Sequence, residues 1–419
     1  MSAPGTTSGT DADLLVPEGT RLLHIGPHKT GTTTLQGAFD SNRVALAEHG
    51  VHYAGRGRQV RAAASSVALD DPSPRLVAVG ARRWRRLVKE VSQSKAARVV
   101  ISSETFANAD DESLRTITNA FDAARTHVVV TLRPLTKILP SQWQQRVQGG
   151  VTDSYGDWLE AILRGQREAT RTASTFWRRH RHDELVARWG QAVGPENVTV
   201  VVLDDSDRRM LFDAFERLLG LPPGLLVPDG RSNPSLSLTE AELYRELNRQ
   251  FFDEKQWPRA VHDQVVRPAI AGYLKEQPRL ATDRPIVTPA WALRRADDVA
   301  QEMIAAISSS GARVVGDLQL LRQVDTEAPA VIEGLDHIPV AVAARAAMGV
   351  VRHTLVEPPV RRSAGAGRTP KATRGGGEAK AGAGERAISP RAAELTSAEL
   401  LRVVGGRVKR RLVRRRAGS

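Results

Sequence analysis

The chain has 419 residues, 41% of them apolar, a formal net charge of +13 and no cysteine. Disulfides and thiol chemistry are thereby excluded, and a metal would have to rely on histidines and carboxylates. No run of 18 or more apolar residues offers a membrane span, and Met1–Gly19 is small, polar and acidic rather than signal-like, so a cytoplasmic protein is expected. The charge is unevenly spread. Residues 357–419 hold sixteen Lys or Arg against five Glu, so eleven of the thirteen net charges belong to this tail. The remainder is close to neutral, and no specific nucleic-acid partner is expected.

Met1–Gly19 has the composition of a disordered segment. The apolar run Leu22–Ile25 then reads as a short buried strand. Gly26 and Pro27 end it, and Leu35, Ala38, Phe39 and Leu46 recur at helical spacing up to Gly50. A strand, a tight glycine-containing turn and a helix together aim several backbone N–H groups and a helix N-terminus at one anion. Lys29 adds a positive charge there, and Thr30, Thr32 and Thr33 add hydroxyl donors. Gly26 and Gly31 have the spacing of the nucleotide P-loop, but Thr32 stands where that pattern needs lysine. The plain alternative is a threonine-rich loop in which Thr32 or Thr33 caps the helix.

His49–Tyr53 supplies a second strand, 55–80 an irregular connection with some helix, and 81–95 a helix. Arg98–Glu104 is a strand that turns polar at its end, and 111–125 is helical. Val128–Pro134 is the next strand, with Pro134 holding Arg133 extended. Helices are expected over 136–148, 153–164 and 171–193, a strand over Val198–Leu203 and a helix over 207–219. This alternation implies an α/β fold with a mostly parallel sheet covered on both faces, binding ligands beyond the carboxyl ends of its strands. Beyond the loop 221–234, Ser237 or Thr239 caps a helix to about 250. Proline-punctuated helical segments follow to about 350, with a short strand at Val314–Val315. The expected organisation is a disordered 1–19, an α/β core over 20–250, a helical lobe of the same domain over 251–356, and a disordered low-complexity tail over 357–419. Within the tail, apolar residues at three- and four-residue steps among arginines suggest a basic amphipathic helix over 391–416. It would lie on an anionic membrane surface; a solvated tail is the plain alternative.

Three further positions carry chemistry. Glu104, at a strand end, is placed to take a proton from an acceptor hydroxyl, and His28 is the rival base. Arg133, ending the next strand, offers a planar donor fork to a phosphate, with Ser141 eight residues later able to complete the contact. His24 reads as a satisfied strand histidine, Phe176, Trp177 and Trp189 as core. His180 and His182, facing apart at i,i+2 on one helix, read as solvated.

The run Lys29-Thr30-Gly31-Thr32-Thr33 resembles the 5′-phosphosulfate-binding loop of the sulfotransferases that use 3′-phosphoadenosine 5′-phosphosulfate (PAPS), in the form found in bacterial members. Arg133 and Ser141 are similar to the Arg-x₇-Ser pair with which that family binds the 3′-phosphate. Ser102-Ser103-Glu104 looks like the members that use a glutamate base. The resemblance spans about residues 20–250 and implies a P-loop-like three-layer domain. It implies in-line sulfuryl transfer from PAPS to the hydroxyl or amine of a small-molecule, glycan or lipid acceptor, without a metal. Pro27, Lys29, Thr30, Gly31, Thr32 and Thr33 would cradle the phosphosulfate and Arg133 and Ser141 the 3′-phosphate. Lys29, with Glu104 or His28, would be catalytic. Arg231–Ser235 lacks the Arg-Lys-Gly form of the family's nucleotide-closing loop, and Leu203-Asp204-Asp205 departs from its Tyr-Glu-Asp, so no residue is assigned to the adenine. Two other classes stand beside this one. A P-loop-like small-molecule kinase would need lysine at position 32 and an acid to hold Mg²⁺. A non-catalytic anion- or nucleic-acid-binding protein acting through the tail leaves Lys29, Glu104 and Arg133 at strand ends without a reason.

Overall fold

The computed structural model describes residues 14–68, 74–167, 169–228, 235–281, 283–322, 329, 335 and 337–355. The basic tail with its expected amphipathic helix and the loop Arg231–Pro234 lie outside these residues. The chain falls into two compact units, one of 1–145, 153–233 and 286–334, the other of 146–152, 234–285 and 335–419.

In the first unit, six strands pair in parallel: β1 (Arg21–Gly26), β2 (Val51–Tyr53), β3 (Arg98–Ser102), β4 (Thr126–Leu132), β5 (Val198–Val202) and β6 (Arg313–Val315), in the order β2-β3-β1-β4-β5-β6. Every residue of β3, β4 and β5 is buried. That is why these strands read as unbroken Val-rich runs: a parallel sheet covered on both faces has no solvent side to alternate with. The short strand expected at Val314–Val315 forms the edge of this sheet beside β5. Connections from β1 run first to one side of the sheet and then to the other, so β1 lies at the switch point where such folds open a crevice.

The helices of this unit are α1 (Thr32–Ser41), α2 (Arg43–Glu48), α3 (Arg61–Ala68), α4 (Pro74–Gln93), α5 (Asp111–Phe121), α6 (Leu135–Gln148, entering the second unit at its end), α7 (Tyr155–Leu163), α8 (Arg171–His180), α9 (His182–Val193) and α10 (Met210–Leu219), followed later by Ala290–Ser308. Leu35, Ala38 and Phe39 of α1 meet Phe215 and Leu218 of α10 in a core that includes Leu22, Val100 and Val129. The N-terminal segment expected to be disordered is anchored over its last residues. Val16 is buried in this core, and its N–H donates to Leu218 O at 3.0 Å.

The expected single helix over 171–193 is two helices. Arg181, at φ −78°, ψ 85°, leaves the helical region and closes a two-point fork on Asp183, Nε–Oδ1 3.0 Å and Nη2–Oδ2 2.7 Å. The break turns both His180 and His182 inward. They are fully buried with ring centroids 6.1 Å apart, so the solvated reading of this pair is corrected. Phe176, Trp177 and Trp189 are core, as expected.

The second unit begins its main helix, α11 (Leu238–Asn248), with a capping box of Ser237 and Glu240. The chain then winds as wider π-turns over Arg249–Glu254 and His262–Gly272. Buried Asn248 donates to Val147 O at 2.7 Å and lies 2.9 Å from His262 Nε2, tying these turns together.

Burial holds His24 near pKa 3 and His127 and His182 near 4, well under the ordinary 6.5. The unfolded chain takes up these protons below about pH 6.5 and the folded chain does not. Stability is therefore complete above that pH and falls as pH drops toward 4, by about 1.4 kcal/mol per unit for each histidine. Melting followed by circular dichroism between pH 7.5 and 4.5 is expected to show a steep acid loss, shallower in His127→Gln.

Candidate active site

Gly26 closes β1 at φ 82°, and opposite β4 the register slips, Gly26 facing Val130 while His24 faces Val129. This bulge throws the chain out of the sheet into the turn 27–31. The Gly26–Pro27 peptide is cis. Lys29 (φ 73°) and Gly31 (φ 77°) both take the left-handed conformation, costly for lysine and free for glycine. A Cβ on Gly31 would also meet Leu211 Cδ2 at 2.8 Å.

Gly31, not Thr32 or Thr33, is the N-cap of α1, and no side chain caps this helix. Among the described residues no acceptor takes the N–H groups of Lys29, Gly31, Thr32 or Thr33. Lys29 Nζ makes no hydrogen bond or ion pair there either, and burial lowers its pKa. A helix N-terminus with bare donors, beside a lysine whose charge is poorly solvated, is an anion site by elementary electrostatics. Thr33 is exposed at its rim. The Thr30 hydroxyl is buried and turned inward, donating to Pro27 O at 2.6 Å, 2.7 Å from Thr131 Oγ1. Thr32 is buried as well, its hydroxyl 3.4 Å from Pro27 O.

Glu104 opens the 3-10 turn Glu104–Asn108 just beyond β3, and it is Ser103 that caps this turn. A Cβ on Gly26 would lie 2.9 Å from Glu104 Cβ and 3.1 Å from its Cα, so the loop is packed directly against this carboxylate's backbone. Gln36 of α1 donates through Nε2 to Glu104 Oε2 at 3.2 Å and to Ser102 Oγ at 3.1 Å. Ser102 Oγ lies 2.9 Å from His24 Nδ1, and His24 Nε2 3.3 Å from Thr131 Oγ1. Ser102 accepts from Gln36 and has its own proton to give to His24 Nδ1, an arrangement that suits an imidazole carrying its hydrogen on Nε2. Glu104 is thus joined through Gln36, Ser102, His24, Thr131 and Thr30 to the loop carbonyl of Pro27. His24 is the satisfied strand histidine the sequence suggested. Gln36 was missed, although a lone amide in the buried stripe of α1 is itself a sign that it has polar partners to serve.

His28 is half-buried in the turn. Burial, then the charges of Arg179, Arg61 and Lys29, push its imidazole well below the ordinary value, so it stands neutral among cations. Arg179 is held by Asn108 of the Glu104 turn. Among the described residues the ring nitrogens of His180 and His182 have no hydrogen-bond partner, and no cluster of three or more His, Asp or Glu is placed to hold a metal ion.

Arg133 follows β4 and gives Nη2 to both oxygens of Asp205, 2.8 Å each, in the turn after β5. Its Nε meets no acceptor among the described residues. Ser141 is half-buried in α6, directly after Pro140. The sequence offered no sign that a carboxylate stands on the expected phosphate fork.

No protein-family model and no curated protein matches the chain. Among solved structures it is similar to the crystal structure of a sulfotransferase from Alicyclobacillus acidocaldarius, at 14% identity and a TM-score of 0.36, over 58% of this chain and 93% of that one. Among the described residues no helix is long and apolar enough to cross a membrane.

Gly26→Ala tests the contact between loop and carboxylate. The methyl group meets the Glu104 backbone at a φ that L-residues avoid, so a stability loss of about 1–3 kcal/mol is expected in urea unfolding. A loss under a few tenths would mean that the two segments do not touch.

Proposed function

We propose that the chain is a PAPS-dependent sulfotransferase. The observation that carries the reading is the uncapped start of α1, with its bare N–H groups and Lys29, packed against a carboxylate at the neighbouring strand end. The donor is strongly anionic at the phosphosulfate, which suits this cradle, and at the 3′-phosphate, which suits Arg133 with Ser141. A nucleotide kinase of P-loop type would want lysine at position 32, where a buried threonine stands.

In the proposed reaction the acceptor oxygen forms a bond to sulfur while the bond from sulfur to the 5′-phosphate oxygen breaks. The electron pair of that bond leaves on the phosphate, and the acceptor's proton passes to Glu104. Lys29 and the α1 N–H groups stabilise charge growing on the leaving oxygen, and most of the rate comes from such prepared electrostatics and in-line placement. Gln36 orients Glu104 with one amide hydrogen. Glu104 is preferred to His28 as base because a proton on His28 would add a cation beside Lys29, Arg61 and Arg179.

Calorimetric titration with 3′,5′-bisphosphoadenosine tests the reading directly: binding is expected, and its absence would remove the proposal. Lys29→Ala is expected to lower kcat by about 10²–10³-fold. Glu104→Gln is expected to lower it by about 10²–10⁴-fold with donor affinity retained. The same pattern from His28→Ala, and not from Glu104→Gln, would exchange the two roles.

A separate outcome concerns Asp205. Its ion pair with Arg133 is part-exposed and contributes little to stability, about 0–1 kcal/mol. Asp205→Asn should therefore leave melting unchanged and tighten 3′,5′-bisphosphoadenosine binding about three- to tenfold. Weaker binding in this variant would show that Asp205 orients Arg133 rather than competing for it.

A further inference from the structure

Sulfuryl transfer leaves the acceptor unnamed, and one side of the site carries more positive charge than the donor accounts for. Along the sheet the order at the site is β2, then β3 with Glu104, then β1 with the loop, then β4 with Arg133. The groups assigned to the donor occupy β1 and β4. On the other side of Glu104 lie α3 and α4, and the arginines there have no part in donor binding.

Arg61 begins α3, is exposed, and its charge acts on His28 in the loop. Arg58, three residues earlier, reaches Thr33 O at 3.4 Å, so this segment adjoins the cradle itself. Next to it is a cavity of 240 Å³ with a floor of Val60 and Leu87 and a wall of Arg56, Gln59, Arg83 and Arg86. Arg56, Arg83 and Arg86 make no hydrogen bond or ion pair among the described residues. Glu90, the one carboxylate lining the cavity among the described residues, is already engaged by His52 Nε2 at 3.1 Å and the Gly55 N–H at 2.8 Å. Among the described residues no donor meets the buried Gln59 Oε1. A solvated arginine face would be the reading of α4 alone. A walled cavity with exposed, unpaired guanidinium groups, a buried amide oxygen and an apolar floor, on the segment whose Arg58 touches the cradle, fits an anion on a short carbon stem.

We propose that the acceptor is itself an anion, its hydroxyl presented to Glu104 and a carboxylate, sulfate or phosphate group held by Arg56, Arg83 and Arg86. The inference rests on the sulfotransferase reading and extends it to the acceptor's chemistry. The charges also draw such an acceptor in from solution, so its capture weakens as salt screens them.

The test uses the full chain and ³⁵S-labelled PAPS. Low-molecular-weight extract of the producing cells is split on a strong anion exchanger at neutral pH, and flow-through and salt eluate are offered separately as acceptors. Label is expected to transfer to compounds of the eluate. Transfer confined to the flow-through, or none from either fraction by protein that binds 3′,5′-bisphosphoadenosine, overturns the anionic acceptor. Failure to bind 3′,5′-bisphosphoadenosine overturns the underlying reading instead. With the labelled acceptor in hand, the double variant Arg83→Ala/Arg86→Ala is expected to raise its KM about tenfold or more, with kcat and 3′,5′-bisphosphoadenosine affinity unchanged. An unchanged KM would equally remove these arginines from acceptor binding.

Discussion

No side chain fits between the end of β1 and the start of the turn that carries Glu104. Because Gly26 has no Cβ, the backbone after β1 touches the backbone after β3, and a loop rich in unmet donors comes to rest beside a carboxylate. The contact brings an anion cradle and an acidic group together without an ion pair between them. Among the described residues Lys29 has no ion-pair partner, and Glu104 takes a neutral amide hydrogen from Gln36. Both charges are thereby kept for a visiting molecule, which is how a site meets developing charge without first breaking its own bonds.

The line of hydroxyls and rings behind this contact suits one polarity with a neutral His24. Gln36 donates in both directions; in that polarity Ser102 gives its proton to His24, and His24 donates onward to Thr131. A protonated His24 would leave Ser102 receiving donors from both sides. The burial that keeps the imidazole neutral is therefore also what keeps the carboxylate end and the loop end of the network in one arrangement. Phe215 seals it, its ring edge-on to His24 with centroids 5.1 Å apart.

Much of this was legible in the sequence because it is periodic or local. The Val-rich strands, the Gly-Pro break, the stripe of α1 and the strand ends at Glu104 and Arg133 follow from patterns a few residues long. What could not be read depends on pairings across the chain. Asp205 meets Arg133 over 72 residues, and Gln36 meets Glu104 over 68. The break at Arg181 depends on a fork to Asp183 and a further bond to Glu302, 121 residues on, so the run 171–193 looked continuous and its histidines looked exposed. At Gly31, backbone conformation outweighed side-chain capping preference. Threonine is a good cap, yet glycine takes the φ of that position without strain and leaves room for Leu211.

The carboxylate on Arg133 has a consequence of its own. Tethered in the same fold, Asp205 is an intramolecular competitor, present at an effective concentration in the millimolar range or above. A dilute single-point anion therefore meets an arginine that already has company. A ligand held elsewhere in the cradle arrives at Arg133 as an intramolecular contender too, and can displace the carboxylate on equal terms. If Arg133 binds the donor as proposed, this weak surface ion pair would act as a threshold, favouring ligands that engage two places at once over the simple anions of the surrounding solution.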